Sequence, residues 1–382
     1  MKIGIVLTST PAYSETFFKS KIIGLQKNGF EVVLFVNSKE NFFDLCTVKK
    51  QVKSRMFCNS IFFLLTNLST ILKFIFLERN DKESFKNIFK KLILNQHILQ
   101  ESHLKWLHFG FATHAVGREN IAKAIGAKMA VSFRGYDIDV FPLKYPNCFN
   151  LLSKKVDKIH AISYYLLNKA ISLGFDKKTP YRVITPALES FQSNSPISKI
   201  NNSKYFKILT IGRLHWVKNY SDILKSLKIL KENDFRFKYH IIGEGDLIEA
   251  LKFQAYEFGL SLNIVFEGKL SHKKTLEILN ESDIYIQYSY SEGFCNSVLE
   301  AQSKGVLSIV SDAGALSENI LNNKTGWVIP KNNPTLLAEK IAEVISLSES
   351  KKDQIRKHAV KRVVKEYSIE KQQKEFIDFY RY

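Results

Sequence analysis

Cysteines are few and scattered in this sequence. Its 382 residues include four, at positions 46, 58, 148 and 295, and no two of them form a CxxC pair. A zinc site or a disulfide framework needs clustered or regularly spaced cysteines, so the pattern argues against both and favours a reducing compartment. The chain also lacks the GxxxxGK[ST] of a P-loop and the GxGxxG of a dinucleotide-binding turn.

A long uninterrupted hydrophobic run is also missing. The nearest approach is CNSIFFLLTNLSTILKFIFL, residues 58–77, which is broken by Asn59, Asn67 and Lys73. These polar residues favour a buried or interfacial helix over a membrane span. The N-terminal MKIGIVLTSTPAYSE has too short an apolar run for a signal peptide, and it predicts a first buried strand.

Acidic residues are scarce in the first half of the chain. Residues 1–190 hold 28 Lys and Arg against 14 Asp and Glu, whereas residues 191–382 hold 28 against 23. Two basic segments, KKQVKSR and FKNIFKKLIL, interleave lysines with bulky apolar residues. Because no nucleic-acid recognition motif accompanies them, we expect no nucleic-acid partner and favour an anionic membrane surface. A basic surface that is merely solvated is the alternative.

The apolar runs predict an α/β protein with two domains. Runs of strand length, such as KIGIVLT, FEVVLFV, KMAVSFRG, FKILTIG and LSIVSD, alternate with helical patterns, which is typical of parallel sheets covered by helices. The polar stretch SFQSNSPISKINNSK interrupts this rhythm. We therefore expect an N-terminal domain over 1–190, a linker over 191–204, a C-terminal domain over 205–365, and a closing helix over 366–382 that packs back on the N-terminal domain.

The stretch SEGFCNSVLEAQSKG, residues 291–305, combines a turn, a glycine and the start of a helix. We expect Gly293 to allow an unusual backbone angle and the helix to begin near Asn296. Free N–H groups in the first turn would then form an anion site. Glu300, one turn inside, suits a ribose diol, and Glu292 would face the group beyond the phosphate. The alternative is a helix whose acidic residues simply favour its dipole.

A second candidate site follows the predicted strand KILTIG. Gly212 at its end would let a ligand approach the backbone closely, and Arg213 and Lys218 could converge on a diphosphate. Two cations after a strand can also be ordinary surface charges, so this signal alone is weak.

Together these motifs resemble the retaining glycosyltransferases of the GT-B fold, family 4, also called glycosyl transferases group 1. The stretch EGFCNSVLEA resembles their E-x7-E motif, and IGRLHWVKN, IIGEG, NIVFEGKLS and DAGALSENILNNKTGWVIP accompany it in the family's order. PAYSETFFKSKIIGLQKNGFEV and LHFGFATHAVG resemble the N-terminal domain of members that build bacterial surface polysaccharides. The resemblance implies two Rossmann-like, doubly wound domains that face each other across a cleft.

The resemblance also implies roles for residues of the second domain. Arg213, Lys218 and Glu292 would be catalytic, since the two cations hold the donor diphosphate and the carboxylate binds the transferred sugar. Glu300 would bind the ribose. The remaining residues that it places around the donor are Gly212, Gly243, Gly268, Leu270, Gly293, Phe294, Asn296, Ser297 and Val298.

In the first domain the match is looser. Arg134 stands in FRGYD where the family often has a histidine, and an arginine can donate hydrogen bonds there but cannot act as a base. The resemblance places five residues on the sugar or acceptor side: Arg134, Asp137, His108 at a strand end facing the cleft, Glu15 and Thr16. The alternative for His108 is a satisfied histidine of the core. Asp137 and Asp139 also form a DxD pair, which in the other major glycosyltransferase fold binds a metal. We favour instead a role for Asp137 in fixing the loop.

The expected function is transfer of a sugar from a nucleotide diphosphate donor to a saccharide or lipid-linked acceptor during capsule, exopolysaccharide or lipopolysaccharide synthesis. The resemblance implies retention of the anomeric configuration, with no metal and no cofactor. We expect a cytoplasmic protein, peripheral on the inner face of the bacterial membrane. A nucleotide-sugar epimerase of the same fold and an inactive basic binding protein are the alternatives.

Overall fold

The computed structural model describes residues 1–11, 16–38, 43–51, 63, 66–188 and 204–382. The chain divides into two compact units, of which the first joins Met1–Thr185 to Glu370–Tyr382 and the second is Pro186–Ile369. The linker expected over 191–204 lies, apart from Lys204, outside the described residues. The closing helix predicted over 366–382 is seen as Ile369–Arg381, and all but its first residue belong to the first unit.

The first unit is built on a seven-stranded parallel sheet in the order β3-β2-β1-β4-β5-β6-β7. Strands β1 and β4 lie at its centre, so the chain winds outward from them in both directions, as in a Rossmann fold. The strands are β1 Lys2–Ser9, β2 Glu31–Ser38, β3 Thr47–Lys50, β4 Trp106–Phe109, β5 Lys128–Phe133, β6 Lys158–Ala161 and β7 Tyr181–Val183.

Helices cover both faces of this sheet. The first ends where Gly29, with φ +78°, takes up the left-handed conformation that glycine tolerates best. The helices of the first part of the chain are α1 Thr16–Lys27, α2 Leu68–Asn80, α3 Phe85–Leu99, α4 Ile121–Ala124, α5 Gly135–Asp139, α6 Phe141–Lys144, α7 Leu152–Lys155 and α8 Tyr164–Ser172.

The second unit repeats the same winding with six parallel strands in the order β10-β9-β8-β11-β12-β13. Its strands are β8 Phe206–Ile211, β9 Phe237–Ile242, β10 Ile264–Gly268, β11 Ile284–Gln287, β12 Leu307–Ser311 and β13 Trp327–Ile329. The helices that follow are α9 Tyr220–Glu232, α10 Ile248–Glu257, α11 His272–Glu281, α12 Asn296–Ser303, α13 Leu316–Asn319, α14 Pro334–Ser346, α15 Glu349–Glu366 and α16 Ile369–Arg381.

The expectation of two Rossmann-like parallel sheets is therefore confirmed. Within the hydrophobic stretch 58–77, helix α2 occupies the residues from Leu68 onward, while most of the preceding ones lie outside the described part of the chain. Among the described helices, none combines the length and the apolar character that a membrane crossing requires.

Candidate functional site

The candidate site of the second unit lies at the point in its parallel sheet where the order of the strands reverses. Strands β8 and β11 are neighbours at the centre of the sheet, and the chain winds away from them to opposite edges. Ligands of doubly wound sheets bind beyond the carboxyl ends of such strands. Gly212 follows β8 directly, and Glu292 lies a few residues beyond β11, so two of the sequence-predicted segments meet at this position.

The loops after β8 and β9 approach each other closely because both contain glycine. Gly243 has φ +144°, and a Cβ atom placed on it would lie 2.0 Å from the carbonyl oxygen of Gly212. The Gly212 amide in turn donates to the carbonyl of Ile242 at 2.9 Å. The Tyr220 hydroxyl donates to the Gly212 carbonyl at 2.8 Å. Gly243 is thus needed to shape this turn, whereas a Cβ on Gly212 would come no closer than 3.3 Å to the Lys218 side chain.

Lys218 and Glu292 form the central ion pair of the site. Lys218 ends a short 3-10 turn, Trp216–Lys218, and its Nζ donates to Glu292 Oε1 at 2.5 Å. The two side chains are only 18% and 12% exposed. Burial lowers the pKa of Lys218, but the interactions with Glu292 and Cys295 together raise it, and the net shift is upward. The lysine is therefore positively charged at neutral pH.

Hydrogen bonds from neighbouring polar side chains hold the Glu292 carboxylate. Ser289 Oγ donates to Glu292 Oε1 at 2.8 Å, and Gln287 Nε2 lies 3.3 Å from the same oxygen. Behind them, the Tyr285 hydroxyl is 2.7 Å from both Gln287 Oε1 and Ser297 Oγ. These hydrogen bonds fix the carboxylate in one position before any ligand arrives.

Helix α12 begins at Asn296, as the sequence predicts, and Asn319 holds its start in place. Asn319 Oδ1 accepts from the Cys295 amide at 3.1 Å, and its Nδ2 donates to the Cys295 carbonyl at 3.2 Å. The first-turn N–H groups of a helix have no intrahelical acceptors, so those of Asn296 and Ser297 are potential donors to an anion. The Cys295 thiol itself is buried, and burial raises its pKa.

Glu300 lies one turn inside α12 and is already engaged. Its Oε1 is 3.0 Å from Nε2 of His272, the first residue of α11. Gly268, with φ +68°, ends β10, and its carbonyl accepts from the Gly243 amide at 2.9 Å. The predicted base-side residue Leu270 is partly buried against the apolar core.

Three further predicted residues, Gly293, Phe294 and Arg213, differ in burial: the first is buried, the second partly buried and the third exposed. Gly293 is buried, and the expectation of an unusual backbone angle there is wrong, because its φ is not positive. The left-handed glycine is instead Gly314, whose Cβ would lie 2.2 Å from the Glu292 carbonyl oxygen. The Phe294 ring packs 5.8 Å from that of Tyr367. Arg213 is exposed, near enough to lower the pKa of Lys218 by repulsion.

In the first unit, the position on the acceptor side that the resemblance implied for His108 is wrong, and the alternative of a satisfied core histidine is confirmed. His108 is fully buried, with Nδ1 2.5 Å from the Tyr380 hydroxyl and Nε2 2.8 Å from Ser132 Oγ. Ser132 Oγ is also 2.8 Å from His160 Nδ1, and Nε2 of that ring donates to a backbone carbonyl at 3.1 Å. Burial lowers the pKa of both histidines well below the usual range. His108 is therefore a neutral core residue under the last helix.

Arg134 lies at the carboxyl end of β5, stacked on aromatic rings. Its guanidinium is 3.9 Å from the centroid of Phe17 and 5.2 Å from that of Phe111, and its Nε donates to the Gly110 carbonyl at 3.2 Å. Asp137 accepts from the Arg134 amide at 3.1 Å. The side chain that replaces the family's histidine is thus held in a fixed place, and it is only partly buried.

The two aspartates of the DxD pair serve different partners. Asp137 Oδ1 accepts from the Thr113 amide and hydroxyl at 3.1 and 2.8 Å, and burial raises its pKa. Asp139 accepts from the Tyr165 hydroxyl at 2.8 Å and from Lys169. Asp137 therefore fixes its loop, as we favoured. Of the two remaining acceptor-side residues, Glu15 lies outside the described residues and Thr16 begins α1.

Comparison with known proteins finds a family match within the second unit. Residues 192–362 match the model of the family described as glycosyl transferases group 1. AmsK, an amylovoran biosynthesis glycosyltransferase of Erwinia amylovora, is 24% identical over 65% of this chain and 61% of its own length. CapM, a capsular polysaccharide biosynthesis glycosyltransferase of Staphylococcus aureus, is 25% identical over 53% of this chain and 52% of its own. The chain thus spans about half the length of such curated relatives.

Solved structures resemble the chain over its whole length. The Anabaena protein Alr3699/HepE, crystallised with UDP and glucose, matches 99% of this chain and 98% of its own with a TM-score of 0.72 and 14% identity. The lipopolysaccharide outer core galactosyltransferase WaaB, in its apo form, matches 99% of both chains with a TM-score of 0.70 and 16% identity. At such low identity these likenesses show the fold alone. The whole chain therefore shares the GT-B fold of these neighbours, and its second unit, over residues 192–362, matches the glycosyl transferases group 1 family.

Proposed function

We propose that this chain is a glycosyltransferase that moves a sugar from a nucleotide diphosphate sugar to a saccharide or lipid-linked acceptor in cell-surface polysaccharide synthesis. The names of AmsK and CapM, which refer to amylovoran and capsular polysaccharide, support this substrate class. The family and its relatives do not favour an epimerase or an inactive binding protein.

The observation that carries the proposal is the Lys218–Glu292 pair at the carboxyl ends of β8 and β11. An ammonium group has three N–H donors, and Glu292 accepts one of them. The others can donate to phosphate oxygens, alongside the exposed guanidinium of Arg213 and the first-turn amides of α12. A nucleoside diphosphate leaving group carries negative charge that grows as its bond to the sugar breaks. Prearranged cations stabilise that developing charge most strongly.

The two glutamates would then bind the hydroxyl groups on either side of the diphosphate. Glu300 would accept from the ribose, with His272 retaining its hold on one carboxylate oxygen. Glu292, fixed by Ser289 and Lys218, would accept from a hydroxyl of the transferred sugar. Gly268 and Leu270 would border the base.

In this proposal the reaction retains the anomeric configuration and uses neither a metal nor a cofactor. Lys218 and Arg213 take the electrostatic role that a metal ion has in other glycosyltransferases. The first unit would bind the acceptor, and Arg134 would donate hydrogen bonds to a sugar or a phosphate there. The protein would act in the cytoplasm, at the inner face of the membrane.

Donor turnover tests the proposal. A thermal-shift screen with UDP, GDP, ADP, CMP and their sugars first identifies the donor, and turnover of that sugar is then measured. We expect Lys218→Ala and Glu292→Ala each to lower turnover at least 100-fold. The matched controls are Lys228→Ala and Glu232→Ala, which break an exposed pair 3.8 Å apart on α9 and should leave turnover unchanged.

Four outcomes would count against the proposal. Full activity in either site variant would refute the assigned roles, and loss of activity with EDTA would refute metal independence. Isomerisation of the donor without hydrolysis or transfer would instead identify an epimerase. An NMR spectrum of the product that shows the inverted anomer would refute retention.

A further inference from the structure

Helices α2 and α3 of the first unit carry a row of exposed apolar side chains. We call Leu68, Leu72, Phe76, Phe85 and Phe89 the outer apolar face; each is between 57% and 68% exposed. Within each helix these residues are four positions apart, so they lie on one side of it. Five large apolar residues grouped in this way on two adjacent helices need an explanation that single exposed residues do not.

The outer apolar face is not a misplaced core, because both helices already bury another face. Ile71, Phe74 and Leu77 are the buried apolar residues of α2, and Ile88 and Leu92 begin the buried side of α3. The apolar groups that remain outside therefore form a second, outward surface.

Two contacts keep the helices in register. Lys91 Nζ on α3 donates to the buried Glu78 carboxylate on α2 at 2.6 Å, and the Arg79 guanidinium lies 4.5 Å from the centroid of the Phe85 ring. The outer apolar face is thus held as one surface of two helices.

The charges around this face have a single sign. Over residues 66–90, the exposed charged side chains are all basic: Lys73, Arg79, Lys82, Lys86 and Lys90. Three of them directly follow an apolar residue of the face, at positions 72/73, 85/86 and 89/90. In the described part of the chain, Lys73, Lys86 and Lys90 take part in no ion pair.

The acidic residues of the same segment point away from the surface or are neutralised. Glu78 is buried and pairs with Lys91, which also pairs with Glu83 at 3.0 Å. Asp81 pairs with Lys155. The face therefore offers apolar side chains bordered by ammonium groups and little negative charge.

We propose that the outer apolar face docks the protein on an anionic membrane surface, with the leucines and phenylalanines inserted among the lipids and the lysines at the phosphate level. The inference locates the membrane contact that the proposed function assumes for a lipid-linked acceptor. Apolar insertion combined with attraction of basic residues to acidic headgroups is the usual basis of interfacial helix binding. An acidic groove of a protein could match the charge, but inserted apolar side chains, three of them directly followed by a lysine, fit the layered chemistry of a bilayer better.

The size of the helices makes this contact peripheral. Helix α2 has 13 residues, which at about 1.5 Å per residue gives about 20 Å, less than the roughly 30 Å hydrocarbon core. The side chains of one helical face reach only the boundary of the headgroups and the acyl chains.

Co-sedimentation with vesicles tests the docking surface. The full chain is mixed with vesicles of phosphatidylcholine alone or with 30% phosphatidylglycerol, at low and at high salt. We expect binding to the anionic vesicles that salt weakens. Leu72→Ser/Phe76→Ser/Phe89→Ser should lower the partition coefficient at least 100-fold. Lys73→Gln/Lys86→Gln/Lys90→Gln should lower it about 100-fold on anionic vesicles and reduce the salt dependence.

A matched control uses exposed apolar residues elsewhere. Phe253 and Tyr256 on α10 are 66% and 69% exposed, and Phe253→Ser/Tyr256→Ser should change the partition coefficient less than twofold. Thermal unfolding confirms that each variant is folded. Full binding by both face variants would overturn the proposal, as would equal binding to neutral and anionic vesicles. A dimer that the serine variant dissociates, without vesicle binding by the parent, would assign the face to a second copy instead.

Donor hydrolysis without vesicles separates this inference from the proposed function. If the face variants hydrolyse the donor like the parent but lose the vesicles, both proposals stand. Face-dependent vesicle binding by a protein that turns over no donor refutes the proposed function and leaves the docking surface in place. Donor turnover without any vesicle binding refutes the docking surface alone.

Discussion

The Lys218–Glu292 pair gives a specific prediction for the free energy of unfolding, because Glu292 has other hydrogen-bond donors whereas Lys218 has no second carboxylate among the described residues. Within the described residues, Glu292 is the single carboxylate within 4.0 Å of Lys218 Nζ. Glu292, in contrast, also has Ser289 and Gln287 as hydrogen-bond donors. Glu292→Gln therefore leaves a nearly buried ammonium without a counter-charge, whereas Lys218→Met leaves a carboxylate that is still partly solvated by hydrogen bonds.

From these contacts we expect Glu292→Gln to lower the free energy of unfolding by about 3 kcal/mol, the lower end of what breaking a buried pair costs. Lys218→Met should lower it by about 2 kcal/mol. If the residues acted independently, the double variant would lose about 5 kcal/mol. Because it contains no unpaired charge, we expect a loss of about 3 kcal/mol, which is a coupling of about 2 kcal/mol.

Urea unfolding of the full chain, followed by tryptophan fluorescence, measures these losses. Two of the three tryptophans, Trp216 and Trp327, belong to the second unit, so the signal reports mainly on the unit that contains the pair. The control is Lys228→Met/Glu232→Gln, an exposed pair worth about 0.5 kcal/mol or less. Single losses that simply add, to within 0.5 kcal/mol, would refute the pairing and the site built on it.

Three further predictions concern backbone shape, helix capping and pH. Gly314→Ala should cost about 3 kcal/mol and lower donor turnover, because the new Cβ at positive φ would press on the Glu292 carbonyl. Asn319→Ala should cost about 2 kcal/mol in urea unfolding, since it removes both side-chain bonds to the Cys295 backbone. Burial lowers the pKa of His97 to about 4, so the unfolded chain takes up its proton first. The unfolding free energy should therefore fall as pH drops from about 6.5 to 4, and less steeply in His97→Gln.

Each of these has a control at a comparable residue. Gly117 has φ +77° with nothing within 4 Å of a new Cβ, so Gly117→Ala should cost only about 1 kcal/mol. The exposed Asn233 makes one side-chain bond to a helix carbonyl, and its alanine variant should stay within about 0.5 kcal/mol of the parent. His103 is exposed, and His103→Asn should keep the parent's pH slope. Equal effects in variant and control would contradict the corresponding prediction.

The sequence predicts the sheets well because buried parallel strands are continuous apolar runs. It does not indicate β3, whose TVKK lies at the sheet edge, or β13, whose WVI has only three residues. Both are short, so neither gives a run long enough to count as a strand. The apolar pattern of the sequence therefore predicts the central strands of each sheet and misses these two short edge strands.

The site residues were predictable where motif spacing carries the information and not where distant contacts decide. Lys218 and Glu292 were both named from their motifs, although 74 positions separate them. The burial of His108 depends on Tyr380, which lies 272 positions away in α16. Likewise, the glycine that shapes the Glu292 backbone is Gly314, because the turn after β12 folds back on it. Neither contact leaves a local signal.

Helix α16 also has a consequence for the order in which the molecule can be assembled during translation. The first unit needs Phe376, Phe379 and Tyr380 to complete its core around β1 and β4. The ribosome makes these residues only after the entire second unit. The sheet of the first unit therefore lacks part of its apolar covering until translation ends, whereas the second unit can fold earlier. A chaperone that binds nascent apolar surface would therefore bind the first half of the polypeptide. A chain that ends before residue 370 would lack part of the core of the unit that is synthesised first.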